Sequence, residues 1–173
     1  MLLRSFFNLK RCSYCLILLG GAFGQSAANG LERTHCQANE QILFSCKVGQ
    51  EKIVSICASK NLSSSSRYVQ YRFGKSGALE LQYPDNLKGS FDRFRFSSVP
   101  YSGGGEAHIR FSNKNFEYII YDREVKSNEA VGVLVRQGKQ SVSQRKCQSF
   151  DYAYISRPGY VSLPKEPFED VLP

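Results

Sequence analysis

Tyr68-Val69-Gln70-Tyr71-Arg72-Phe73-Gly74 is the stretch whose reading decides the fold. Along an extended chain Val69, Tyr71 and Phe73 point one way and Tyr68, Gln70 and Arg72 the other. That period of two marks a strand with one dry face. The same alternation continues outward from it. Leu79, Leu81 and Tyr83 oppose Glu80 and Gln82, and Phe94 and Phe96 oppose Arg93 and Arg95. Ile109 and Phe111 oppose His108 and Arg110, while Val131, Val133 and Val135 form another apolar row. Almost nothing after residue 40 has helical periodicity. Strands are predicted near 42–47, 52–58, 67–73, 78–83, 91–97, 106–112, 116–122, 130–136 and 141–147. Gly49-Gln50, Asn113-Lys114-Asn115 and Gly138-Lys139 supply tight turns between them. About eight or nine antiparallel strands with one dry and one wet face predict an all-β small barrel or sandwich, which limits exposed edges.

Residues 1–28 read as a secretory leader. Arg4, Lys10 and Arg11 accompany a mostly apolar run from Cys12 to Phe23, and Ser26-Ala27-Ala28 provides the small residues of a cleavage site. The run is too short to cross a bilayer of about 30 Å as a helix. No lipobox cysteine points to a stable membrane anchor. The expectation is a periplasmic or secreted protein beginning near Asn29, with one domain over 29–157 and a Pro-rich acidic tail over 158–173. Residues 29–41 read as a loop or single helical turn held by Cys36. The tail, with Glu166, Glu169 and Asp170 among four prolines, reads as extended or partly disordered.

Export also bears on the cysteines. Cys12 and Cys15 leave with the leader, and Cys36, Cys46, Cys57 and Cys147 remain for two disulfides. Their spacing does not suit a metal site, and no cofactor motif is present. In a hairpin turning near Gly49–Glu51, Cys46 faces Val54 or Ser55, and Cys57 faces Phe44 or lies beyond it. A Cys46–Cys57 bridge is therefore disfavoured. Either Cys36–Cys57 with Cys46–Cys147 or Cys36–Cys46 with Cys57–Cys147 remains.

Few residues offer chemistry. The net charge of +8 includes the three positive charges of the leader, so the mature chain is only mildly basic. Of two histidines, His35 neighbours Cys36, and His108 is expected on the wet face two positions from Glu106, where the pair could act as a general base. With no other catalytic motif, no catalytic residue is assigned. Arg72, Arg93, Arg95 and Arg110 would line one wet face if consecutive strands pair, suiting an acidic partner. Cross-strand pairing of Glu80 with Arg72 and Arg93 is the competing arrangement. The aromatic residues face inward and the chain is exported, so nucleic acid is not the expected partner. Asn61-Leu62-Ser63 matches a glycosylation sequon.

Phe44-Ser45-Cys46, the Ser102-Gly103 turn, the aromatic strand Asn115–Tyr121 and the closing Cys147 together resemble the small periplasmic β-barrel inhibitors of c-type lysozyme. The chain also resembles uncharacterised small bacterial exported β-proteins with a Tyr-x-Gln-Tyr-Arg-Phe-Gly run, here Tyr68–Gly74. The inhibitor resemblance rests on sparse points across the mature core. It implies a Cys46–Cys147 bridge, leaving Cys36–Cys57. It also implies that the Ser102 loop enters an acidic catalytic cleft. Ser102 matches the inhibitor loop, but Gly104, Gly105 and Glu106 stand where that family has a basic residue and a Tyr. The function expected is a non-enzymatic inhibitor or immunity-type binding protein acting on a cell-wall hydrolase or envelope toxin. Ser102, Gly103, Gly104 and Gly105 would form a flexible contact loop, and Arg93, Arg95, His108 and Arg110 its electrostatic rim. The alternatives are a small envelope hydrolase using His108 and Glu106, or a structural or ligand-binding envelope protein with an apolar cavity.

Overall fold

The structure is a computed structural model that describes residues 33–126, 128–148 and 162–172. The leader and the boundary expected at residue 157 lie outside the described residues. Among the described residues nine strands run in chain order: β1 (Glu40–Val48), β2 (Lys52–Ser59), β3 (Val69–Lys75), β4 (Ala78–Tyr83), β5 (Arg95–Tyr101), β6 (Gly104–Asn113), β7 (Phe116–Val125), β8 (Asn128–Gln137) and β9 (Gln140–Lys146). Each pairs antiparallel with its sequence neighbour, giving a four-stranded sheet β1–β4 and a five-stranded sheet β5–β9. Among the described residues the fold is all-β and sandwich-like, with no closed barrel.

One expected strand begins late. Phe91–Arg93 forms a 3-10 turn in which the Arg93 amide bonds the Ser90 carbonyl at 3.0 Å, while Phe91 and Phe94 are buried. Arg93 therefore leaves the strand face on which alternation placed it beside Arg95.

The inner faces pack by the predicted alternation. Phe44, Val54, Ile56 and Tyr71 from one sheet meet Ile109, Phe111, Ile120 and Val133 from the other. Phe111 lies 5.0 Å from Tyr71, 4.9 Å from Tyr83 and 4.8 Å from Tyr118, measured between ring centroids. Offset aromatic contacts of this kind add to simple burial.

Cys36–Cys57 and Cys46–Cys147 are the two disulfides. Cys46 sits opposite Val54, as the hairpin register predicts, and a bulge between Ile42 and Phe44 puts Cys57 opposite Ile42. Cys46–Cys147 links β1 to the end of β9, where the Gln148 amide also bonds the Lys47 carbonyl at 2.7 Å. No helix among the described residues is long and apolar enough to cross a membrane.

The expectation of a wet outer face fails on both sheets. On the four-stranded sheet, residues 33–39 lie across Ser45, Ser55 and Arg72. The Ser45 hydroxyl donates to the Arg33 carbonyl at 2.8 Å, and the Ser55 hydroxyl accepts from the His35 amide at 3.0 Å. Arg72 donates to the His35 carbonyl at 2.7 Å and grips Glu40 with two further 2.7 Å bonds. Cys57 faces the same way and anchors this cover through Cys36. Arg72 thus pairs with Glu40, not with Glu80. A bulge between Phe73 and Gly74 shifts the β3–β4 register, and Glu80 bonds Lys52 at 2.9 Å instead.

Candidate functional site: the covered face of the five-stranded sheet

The outer face of the five-stranded sheet is built from cross-strand rows. Directly opposed residues in an antiparallel pair share a face, so Val99, Glu106, Arg123 and Ala130 form one row. Ser97, His108, Tyr121 and Gly132 form the next, and Arg95, Arg110, Ile119 and Leu134 a third. This face carries three arginines and three large apolar side chains. Its apolar residues need a cover, and its cations need anions.

The C-terminal segment 162–172 provides both. Leu163 is buried, and the segment then joins the edge of β5: the Phe96 amide bonds the Pro164 carbonyl at 2.8 Å and the Glu166 amide bonds the Phe96 carbonyl at 3.0 Å. From there it crosses the sheet as a strap. The Phe168 ring stacks on His108 at 4.8 Å with 25° between the planes. Glu169 takes bonds of 2.7 Å from Arg110 and 3.0 Å from Arg136, and Asp170 lies 3.3 Å from Arg123. Val171 and Leu172, with Ala130, pack on Ile119, Tyr121 and Leu134. The acidic tail read as extended or partly disordered is, over its described part, a docked third layer.

Beneath Phe168 lies a buried polar chain. Glu106 accepts from Arg123 Nε at 2.6 Å and meets His108 Nε2 at 2.7 Å. Burial pushes the His108 imidazole below its ordinary pKa, and Arg110 and Arg123 add to that against the opposing pull of Glu106. His108 is therefore neutral near pH 7, donating Nε2–H to the carboxylate and leaving the Nδ1 lone pair free. Among the described residues, Nδ1 has no hydrogen-bond partner, and neither does the hydroxyl of Ser97 on the opposing strand. The Glu106–His108 pair exists as the spacing suggested. Its expected position on a wet face is a correction: both side chains are fully buried.

The expected contact loop also takes a different form. Tyr101 pairs directly with Gly104, so only Ser102 and Gly103 make the turn, while Gly104 and Gly105 belong to β6. Gly103 has a φ of 86°, which suits glycine in the turn. A Cβ on Gly104 would collide with the Glu124 carbonyl oxygen, so this glycine serves close approach of β6 and β7. The triglycine is thus split, with Gly103 in the turn and Gly104 and Gly105 in the strand.

The four rim residues separate. His108 and Arg110 are buried beneath the strap, while Arg93 is exposed and Arg95 half-buried. Arg93, Arg95 and Arg110 nevertheless line one groove of about 330 Å³ with Tyr83, Phe111 and Glu117 among its walls. Arg110 is engaged by Glu117, Glu166 and Glu169. Arg95 hydrogen-bonds only carbonyls, those of Asp92 at 2.6 Å and Phe94 at 3.0 Å. Neither Arg93 nor Arg95 forms a close ion pair with a carboxylate among the described residues, though Arg95 acts electrostatically on Glu166.

Cys36, Cys57 and Glu40 are close enough together to suggest a metal. Both sulfurs are consumed in the disulfide and Glu40 is held by Arg72, so the donor set does not fit an ion.

Sequence alternation missed Arg123, Arg136 and the apolar patch Ile119, Tyr121 and Leu134. The signal was present: Ile119-Ile120-Tyr121 and Val133-Leu134-Val135 are apolar on both faces, the pattern of a strand covered on two sides. The chain matches no family model, no curated protein and no solved structure.

Proposed function

We propose that this chain is an exported, non-enzymatic binding protein whose partner presents an acidic surface or cleft, acting as an inhibitor or immunity-type protein on a cell-wall hydrolase or envelope toxin. The observation that carries the reading is the corner formed by Arg93 and Arg95. Two guanidinium groups that make no carboxylate ion pair among the described residues stand at a groove lined by Tyr83 and Phe111 together with Asp92, Glu117 and Glu166. Such a group suits bidentate recognition of carboxylates. The hairpin end at Ser102 and Gly103 supports it too, because a two-residue turn between paired strands leaves few residues to order on binding. A periplasmic or secreted location belongs to the same reading, since two disulfides persist in an oxidising compartment.

The test is binding of the mature protein to a panel of c-type lysozymes and envelope hydrolases. The expected result is salt-sensitive binding that the double charge reversal Arg93→Glu/Arg95→Glu weakens tenfold or more. No binding across the panel, or binding indifferent to both reversals, overturns the proposal. One observation favours a second reading as a hydrolase: the 2.7 Å contact between Glu106 and His108. Such an enzyme would first have to lift Phe168 from the imidazole. His108→Ala that leaves every hydrolytic readout unchanged counts against it.

A further inference from the structure

The two sheets are covered in different ways. The N-terminal cover is fastened covalently by Cys36–Cys57 and by the Arg72–Glu40 pair, whose side chains are 6% and 1% exposed. The described part of the C-terminal strap has no covalent fastening, and its acidic side chains Glu169 and Asp170 are 53% and 67% exposed. Beyond Leu163, which is buried in the sandwich core and anchors its start, the strap meets the sheet through a short edge pairing, one stacked ring, three ion-paired arginines and two aliphatic side chains. Its adherence is of the kind a competing chain can replace.

The fit is also incomplete. Native proteins satisfy nearly all buried polar groups. Among the described residues, the buried side-chain atoms without a hydrogen bond are Ser97 Oγ, His108 Nδ1, Arg110 Nε and Glu166 Oε1. The last two face each other as an ion pair at 3.3 Å, leaving Ser97 Oγ and His108 Nδ1 unmet. All four belong to this strap or to the face it covers. Two come from directly opposed residues of β5 and β6, Ser97 and His108. A segment that also bonded these two would suit the groove better than the strap does.

We infer that the outer face of the five-stranded sheet is a peptide-binding groove and that the strap is a built-in competitor occupying it. The occupant in trans is an extended segment of a partner protein in which an aromatic residue is followed by two acidic and two aliphatic ones. This is the pattern of Phe168-Glu169-Asp170-Val171-Leu172. The aromatic residue stacks on His108, the first acid bridges Arg110 and Arg136, the second meets Arg123, and the aliphatic pair fills the patch at Ile119 and Leu134. The inference rests on the proposal that this protein binds an acidic partner, and it gives that partner a form. The partner enters beside Arg95, which shares the sheet face with Arg110, and displaces the strap as it docks.

The experiment uses full-length mature protein and a fluorescent peptide of residues 162–173, with a control peptide carrying Lys at positions 169 and 170. A chain whose own strap is weakened by Phe168→Ala/Glu169→Gln is expected to bind the peptide at least tenfold more tightly than wild type, because a larger fraction of the groove is free. Adding Arg136→Glu to that chain should abolish the gain, and the control peptide should not bind. Arg136 is 14% exposed and also pairs with Glu117, so thermal melting is used to confirm that each variant keeps its fold. Equal affinity for wild-type and strap-weakened chains, or binding indifferent to Arg136→Glu, overturns the inference. So does a concentration-dependent wild-type dimer that the strap-weakened variant lacks, since that result assigns the groove to a second copy. Failure of the hydrolase panel leaves the peptide result standing, and failure of the peptide leaves the Arg93–Arg95 corner to be judged by its own reversals.

Discussion

Phe168→Ala is the most revealing single substitution, because it attacks the strap without touching the sandwich core. The ring contributes a stacked contact with His108 at 4.8 Å, worth about 1 kcal/mol for an aromatic pair. Its partial burial adds roughly another 1 kcal/mol of apolar transfer. Losing about 2 kcal/mol from strap docking raises the open fraction roughly 30-fold, since each 1.4 kcal/mol is a factor of ten. Trypsin reads this change, because Lys165 is exposed but is held at β5 through the flanking bonds of Pro164 and Glu166 to Phe96. When opening is fast, cleavage follows the open population. Release of residues 166–173, followed by mass spectrometry, should therefore accelerate about 30-fold while thermal melting of the disulfide-braced sandwich changes little. A cleavage rate within twofold of wild type would refute the reasoning. A melting temperature that falls in step with faster cleavage would also refute it, because the strap would then be inseparable from the fold.

Other perturbations have distinct outcomes. Glu40→Ala strands Arg72 in a buried site and should cost about 3–5 kcal/mol in urea unfolding. Gly104→Ala should destabilise by about 2 kcal/mol or more through its collision with Glu124, whereas Gly103→Ala should cost about 1 kcal/mol for its positive φ; equal effects would contradict the strand assignment of Gly104. Glu169 is held down to about 2 by Arg136 and Arg110 from a usual 4.5. Its contribution to strap docking is full above pH 4.5 and lost as pH falls through about 2. Because this side chain is half-exposed, the loss is about 1 kcal/mol, visible as faster amide exchange of Glu166 and absent in Glu169→Gln. Burial lowers His35 and His108 below 6.5, so fold stability should begin to fall as pH drops below 6.5, in a urea series from pH 8 to 5. Replacing Cys46 and Cys147 by Ser should cost about 4.7 kcal/mol on the chain-entropy model, against about 3 kcal/mol for the shorter Cys36–Cys57 loop.

The sheet was legible because strand periodicity is local. Val69, Tyr71 and Phe73 declare their face without knowledge of their neighbours, and the tight turns fix which strands pair. The layers outside the sheets were not legible in the same way. Whether Arg72 faces water or Glu40 depends on a chain segment folding back over 32 residues, and whether His108 is wet depends on Phe168, 60 residues later. Composition marked the tail as polar and proline-rich. Polar segments that cannot build a core can still dock when a finished sheet offers complementary charges, as Glu169 does between Arg110 and Arg136. The expected arginine stripe does not form: Arg72 lies on the four-stranded sheet against Glu40, Arg93 sits in a 3-10 turn, and Arg110 on the five-stranded sheet is engaged by Glu117, Glu166 and Glu169. Register shifts were equally hidden: the bulge that carries Glu80 away from Arg72 has no signature beyond the glycine at position 74.

Native-state hydrogen exchange on the mature wild-type protein tests the central claim most directly, with the Glu166 amide as reporter of the strap and the Ile109 and Ile120 amides as reporters of the sheet. The account predicts that Glu166 is protected, yet exchanges through an opening of markedly lower free energy than the one that exposes Ile109 and Ile120. An unprotected Glu166 amide would show that the strap does not dock, and exchange at the same free energy as the sheet would show that it cannot leave without unfolding the protein.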